Sequence, residues 1–532
     1  MSLTSYSSLA YCFIFLPLVI IFYAITPKKI KWLPLLISSY IFFWLVSGKL
    51  LAYLLFTTAC VYLTGLCLSF IREECDRKCS TLSQADANKI VHRSVQKQRA
   101  VLLFAILVQL AMLVIFKYLK FFCGNINGLL AYFGGQPLFE IPNFIAPIGI
   151  SFYSLQAISY ICDVYRRKIQ ADKNFLRLAL FMSFFPQIME GPICRYSDTA
   201  QRLYEADHIK FENLKLGLQR ILFGLFKKMV IADRLNPLVK TVFNNYQDFG
   251  GSVIVVAAVA FTVQLYMEFS GTMDIVIGTA EIFGVKLPEN FQRPFFSKSI
   301  TEFWQRWHFT LGTWFKDYIY YPISMSPPFK KMTKRSRKML GNFYGPMLIS
   351  TIALFCVWLC NGLWHGAGWK YIFFGMFHFT LMTCGNLIKP VVRKIHVKLG
   401  INAENAVYKG LQILRTFILV CLGELFFRAN GLLSGFEMTK KIVIDFSPKA
   451  IYDGTLLSIG LDAYDWLVVL IGLMIIFVVS VINETGVSVR LSLDRKPLPV
   501  RWACLIALIF CIVIFGAYGG TYIPVDPIYA GF

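Results

Sequence analysis

Asn361-Gly362-Leu363-Trp364-His365-Gly366-Ala367-Gly368-Trp369 separates two apolar stretches, Asn342–Cys360 and Tyr371–Cys384. As a helix, each is long enough to cross, or nearly cross, the roughly 30 Å hydrocarbon core of a bilayer. An imidazole at or near that depth is costly, and ionisable groups in such places are functional-site candidates by default. The glycines around it allow backbone or ligand to approach closely.

The rest of the chain has the same character. Of its 532 residues, 57% are hydrophobic and 16% charged, whereas a typical soluble domain is about 45–50% apolar. Apolar runs recur at Leu9–Ile25, Trp32–Val46, Leu50–Phe70, Ala100–Cys123, Ile141–Cys162, Gly251–Phe269, Asn342–Cys360, Tyr371–Cys384, Leu411–Phe427, Trp466–Ile482 and Trp502–Tyr518. Their lengths suit helices rather than the short alternating strands of a membrane barrel. The expectation is an all-α polytopic membrane protein of about 11–12 helices, forming one integral domain over residues 1–532.

Lys and Arg number 53 and Asp and Glu 30, a formal charge of +23. The excess collects between apolar runs, as the positive-inside rule requires, and suits anionic lipid headgroups. No nucleic-acid motif accompanies it. With the N-terminus outside, Lys28–Lys31, an Arg72–Arg99 loop and Asp163–Lys173 all fall inside, as do Lys330–Lys338, Lys389–Lys398 and Arg490–Arg501. The first run has an uncharged front and no cleavage signal, so it is read as a retained span. Between Asp163 and Lys338 the count does not close. Phe175–Ile188, Ile221–Ile231 and Phe309–Ile323 are too short or too polar for spans. They are expected to be re-entrant or interfacial segments, which at depth line a cavity.

The fourteen cysteines are scattered. Cys75 and Cys79 have neither the spacing nor the histidine partners of a zinc site, so no metal is expected. No GxSxG, Walker A, GxGxxG or HExxH motif is present, which gives no support to a serine hydrolase or an ATPase. Of the six histidines, His92, His208 and His396 lie in charged loops, and His378 in Phe377-His378-Phe379 reads as a helix-packing residue. His308 belongs to a dense cluster with Trp304, Arg306 and Trp307. That cluster is either an interfacial aromatic belt or the entrance for a thioester tail or nucleotide, with Arg306 facing an anionic group. Gln187, Glu190, Gln264, Glu268, Ser270, Asp274 and Glu424 lie in or beside apolar runs and need partners there. They could orient a histidine, line a pore or lock helices together.

Four segments resemble, in order, the membrane-bound O-acyltransferase family, in its alginate and peptidoglycan O-acetylation branch with D-alanyl transfer proteins as cousins. These are Pro147–Tyr153 with Tyr160–Arg166; Phe185–Ile193; Gln264–Asp274 continuing through Pro288–Phe291; and Phe303–Pro322 with Gly362–Gly366. The resemblance implies a ring of helices around a thinned centre, with a central tunnel to His365 as the family's catalytic histidine and His308 as the second. Trp304, Arg306, Trp307, Asn361, Trp364, Gln264, Glu268, Asp274, Gln187 and Glu190 become tunnel candidates. Residues 1–140 would be N-terminal spans, 141–390 the catalytic core and 391–532 C-terminal spans.

The implied activity is O-acetylation of an extracytoplasmic polysaccharide, an exopolysaccharide or cell-wall glycan, at a bacterial cytoplasmic membrane. The donor would be a cytoplasmic thioester, acetyl-CoA, with no cofactor, and a separate SGNH-type acetyltransferase is the expected partner. Glu190 departs from the small residue expected at its position. Pro527–Phe532 loosely resembles the aromatic ending of relatives, suited to docking a partner or anchoring at the interface. Two rivals stay open. One is D-alanyl transfer from a carrier protein toward teichoic acid. The other is a transporter or flippase, for which broken helices and intramembrane carboxylates are equally typical but inverted repeats are not seen.

Overall fold

The computed structural model describes residues 5–142, 144–205 and 207–518. Among them β structure is confined to one antiparallel bridge, Phe291 to Trp307. Eight helical stretches are long and apolar enough to cross a membrane, and Tyr11–Ile25 is a shorter apolar helix. The all-α polytopic architecture expected from the apolar runs is therefore present. The C-terminal Pro527–Phe532 segment lies outside the described residues.

Two boundaries differ from the apolar runs. Helices α1 (Leu51–Cys79) and α2 (Gln84–Leu113) continue well past the hydrophobic stretches, so Arg72–Arg99 is not a loop. It is two polar helix ends joined by a short turn. Lys78 pairs with Glu74 one turn earlier at 2.5 Å, and the Ser83 hydroxyl caps α2 by accepting from the Asp86 amide. Conversely, the run from Ile141 becomes helical only as α3 (Ile150–Tyr165). Pro142 and Pro147 lack the N–H a helix needs, and Gly149 has φ 73°.

The chain packs as two compact units. Among the described residues, one runs through Gly217 and takes in Thr279–Pro288; the other comprises Leu218–Gly278 and Glu289–Tyr518. In the first, the loop after α4 (Phe175–Ser183) carries Phe184–Ile193 without helix. Pro186 and Pro192 exclude regular structure, yet the segment is buried. Its backbone groups are satisfied by side chains: the Tyr6 hydroxyl donates to Phe185 O (2.8 Å) and accepts from the Met189 amide (3.1 Å), and the Phe185 amide donates to Ser39 Oγ (3.0 Å). Non-helical backbone in an apolar setting persists only with such partners. Tyr6, Tyr11, Phe15, Phe42 and Phe185 form the aromatic core beneath it.

In the second unit, α5 (Asp233–Asn244), α6 (Gly251–Ile282, as far as Gly278), α7 (Ile300–Arg306) and α8 (Phe309–Phe315) precede α9 (Pro327–His365, broken by a kink at Gly341), α10 (Trp369–Leu399) and α11 (Ala406–Arg428). Helices α12 (Ala463–Glu484) and α13 (Leu498–Phe515) follow. The short Phe309–Ile323 segment is α8 followed by a π-turn, Lys316–Tyr320.

Gly149 tests the loop packing. A Cβ there would stand 1.9 Å from Ile188 O, so Gly149→Ala adds overpacking of about 1–3 kcal/mol to left-handed strain. Gly400→Ala, also left-handed (φ 61°) but with nothing within 4 Å, carries the strain alone. Thermal unfolding in detergent should rank Gly149→Ala clearly below Gly400→Ala.

Candidate active site

Helix α9 ends at His365 because Gly366 and Gly368 take extended backbone before α10 begins at Trp369. The two helices cross closely. A Cβ on Gly362 would meet Tyr371 O at 2.5 Å, one on Gly375 would meet Trp358 O at 2.5 Å, and one on Gly366 would strike the Tyr371 ring. Small residues at such crossings let membrane helices approach to backbone contact. The crossing buries His365, with its ring edge-on to Phe374 (5.7 Å between centroids) and Phe427 (5.3 Å).

His308 is set by a different device. The Gln292 amide donates to Arg306 O (2.8 Å) and the Phe309 amide to Asn290 O (3.2 Å), which registers residues 290–292 against 306–309. Between them His308 adopts φ 44°, uncommon for a residue with a side chain. Asn290 Oδ1 accepts from the Thr310 hydroxyl (2.8 Å) and lies 2.9 Å from His308 Nδ1. An acceptor at that distance makes Nδ1 the protonated nitrogen and leaves the lone pair on Nε2. Nε2 has no hydrogen-bond partner among the described residues. Burial pushes this imidazole down to about 3, so it is neutral near physiological pH and serves as an acceptor.

Trp364 touches both imidazoles, its ring 5.7 Å from His308 and 5.2 Å from His365. A cavity of about 890 Å³ reaches this place. Its wall includes Trp304, Trp307, His308 and Asn361, and it follows α9 from Phe343 to Asn361, about 27 Å of helix. Its other end carries Lys316 and Lys389. Asn361 stands one turn before His365, with Oδ1 buried and unpartnered among the described residues. The cavity wall contains His308 and Asn361 but not His365.

The remaining candidates are distributed as follows. Arg306 pairs with Glu302 (2.8 Å) and Glu484 (2.9 Å). Asp274 accepts from Arg220 (3.0 Å) and Lys227 (2.7 Å). Glu268 pairs with Lys228 (2.5 Å), which also holds Asp233 (3.2 Å), all three buried. Gln264 donates to Asn236 (3.1 Å). These carboxylates lock helix α6 to its neighbours. Gln187 and Glu190 belong to the first unit, in the buried Phe184–Ile193 loop, where Gln187 donates to Phe181 O (3.3 Å). His378 is fully buried among Trp304, Trp358 and Phe374, a packing position.

Sequence reasoning passed over Asn290, Arg220, Lys227 and Lys228. The lysine pair carried a signal, since it interrupts the apolar stretch Leu225–Ala232 and cations there need acidic partners. Removing Lys228 alone takes away the cation that two buried carboxylates share. Lys228→Met should therefore destabilise by about 3–5 kcal/mol, read as lost thermal stability in detergent, while Glu268→Gln costs less because Asp233 still faces the ammonium.

Two buried imidazoles thus flank Trp364, and one of them, His308, lies in the wall of a long cavity. Comparison with known proteins gives the class. Residues 40–421 match the model of the membrane-bound O-acyltransferase family, and the chain belongs to that family and is an acyltransferase. It is 33% identical to "Probable alginate O-acetylase AlgI" of Pseudomonas aeruginosa over 81% of this chain and 74% of that protein. It is 30% identical to the peptidoglycan O-acetyltransferase of Helicobacter pylori over 65% of each. It is 29% identical to the teichoic acid D-alanyltransferase of Bacillus subtilis over 54% of this chain and 70% of that protein.

Proposed function

We propose that this protein O-acetylates an extracytoplasmic polysaccharide from a cytoplasmic thioester, acetyl-CoA, in a bacterial cytoplasmic membrane. The observation that carries this reading is the cavity along α9, which joins a basic end at Lys316 and Lys389 to His308 and Asn361. The Lys/Arg-rich segments at Lys330–Lys338 and Lys389–Lys398 support a cytoplasmic position for that end. The names of the alginate and peptidoglycan relatives support a glycan acceptor.

In this reading the thioester lies along the cavity, its carbonyl near Trp364. His365 takes the proton of the acceptor hydroxyl, whose oxygen attacks the thioester carbon. The C–S bond breaks, and the imidazolium returns the proton to the departing thiolate. The acceptor is a glycan hydroxyl or the serine of an SGNH-type partner outside the membrane. His308, neutral and fixed by Asn290, offers Nε2 as an acceptor to an amide N–H of the thioester's tail or to an N–H of His365. General-base catalysis of this kind contributes about 10²–10⁴-fold.

The test is CoA release by purified protein in nanodiscs. His365→Ala should lose about 10²–10⁴-fold in turnover with folding intact. Release that needs a phosphopantetheine carrier protein instead of acetyl-CoA would replace the donor with a D-alanyl-type one, the chemistry named for the Bacillus subtilis relative. Unchanged turnover in His365→Ala would contradict the catalytic assignment.

A further inference from the structure

A second cavity of about 670 Å³ lies on the other side of Asn290. The proposed transfer does not use it. Its inner wall carries three polar side chains that are more than nine-tenths buried: Gln219, Ser270 and Asn290. Each has an atom unpartnered among the described residues, namely Gln219 Oε1, Ser270 Oγ and Asn290 Nδ2. Unpaired buried polar atoms are costly, and a cavity beside them is where a ligand would satisfy them.

The chemistry of the wall selects the ligand. Arg220, Lys227, Arg293 and Arg490 line it with Asp274 and Glu289; Arg220 is taken up by Asp274 and Glu289, and Arg293 pairs with Glu484. Lys227 commits one N–H to Asp274 at 2.7 Å of the three an ammonium can give. The Asn290 amide and the Ser270 hydroxyl add donors that suit an oxyanion, while Gln219 Oε1 calls for a donor such as a headgroup hydroxyl. The opposite wall is mixed on α12, where Ile476 and Val479 stand beside Ser480 and Asn483, and apolar on α13 at Leu505 and Leu508. Both helices are long and apolar enough to span a membrane, and their outward faces expose Met474, Phe477 and Phe510. The rim at Gly486–Arg490 opens the basic stretch Arg490–Arg501. A cavity that is cationic and hydrogen-bonding within, apolar along α13 and sited at the basic end of two membrane helices matches an amphiphile with an acidic head.

We propose that this cavity holds the phosphate of an anionic phospholipid, with an acyl chain along the α12–α13 wall. The soluble source of the same chemistry is the phosphates of a CoA, which have no use for that apolar wall.

Native mass spectrometry of the full chain, released from detergent after incubation with phosphatidylglycerol, phosphatidylcholine or CoA, separates the sources. Retention of phosphatidylglycerol above phosphatidylcholine is expected. Lys227→Met should lower it about fivefold, the equivalent of ~1 kcal/mol per cation. Ser480→Phe, which fills the cavity from α12 and leaves every ion pair in place, should abolish the preference. Equal retention of the two lipids, or a preference unchanged in both variants, would overturn the proposal. Displacement of phosphatidylglycerol by CoA from the wild-type chain would assign the phosphate site to a soluble ligand and overturn the lipid.

Discussion

Backbone polar groups cannot go unpaired in an apolar environment, and this constraint shapes two irregular segments of the protein. The stretch around Asn290 and His308 leaves the helix, so it must find partners, and it finds them in itself through the 290–292 and 306–309 pairing. That pairing forces His308 into left-handed backbone and brings its Nδ1 to Asn290. The orientation of the imidazole is thus a consequence of satisfying the main chain. In the first unit the Phe184–Ile193 loop obeys the same rule with side chains, Tyr6 and Ser39 supplying the bonds.

Glycine does the complementary work at His365. Gly362, Gly366 and Gly375 remove the side chains that would hold α9 and α10 apart. The helices then enclose the imidazole in rings from Trp364, Phe374 and Phe427. Trp364 joins the two devices, since it touches both histidines. The ion pairs of α6 with Lys227, Lys228 and Arg220 hold the helix whose Phe269 packs edge-on against His308 at 4.8 Å.

Much of this was legible in the chain. Apolar length located most of the spans, since a bilayer of fixed thickness imposes it; of the apolar runs, Leu9–Ile25 yields only a shorter helix and Ile141–Cys162 none of the eight span-length stretches among the described residues. His365 stood out because an imidazole between two apolar runs needs a reason. Other features depend on contacts the sequence cannot display. The polar ends of α1 and α2 read as a loop because hydropathy registers the membrane, whereas their helicity rests on local pairs such as Glu74–Lys78. The late start of α3 was signalled by Pro142 and Pro147, but an apolar count ignores proline. Asn290 sits eighteen residues before His308 in the chain, and nothing in that spacing announces a hydrogen bond between them. One of two readings left Arg306 available to an anionic group, but it pairs with Glu302 one turn earlier and with Glu484, which comes from a helix 178 residues away.

The account turns on whether the cavity along α9 carries the donor to the histidines. Leu354 lines it midway, whereas Leu348, on the same helix, is exposed and lies outside its wall. The most direct measurement is thioester turnover in nanodiscs by Leu354→Trp and Leu348→Trp, both verified as folded. The account predicts that Leu354→Trp loses most of its turnover while Leu348→Trp keeps it. A folded Leu354→Trp protein that releases CoA at the wild-type rate would contradict it.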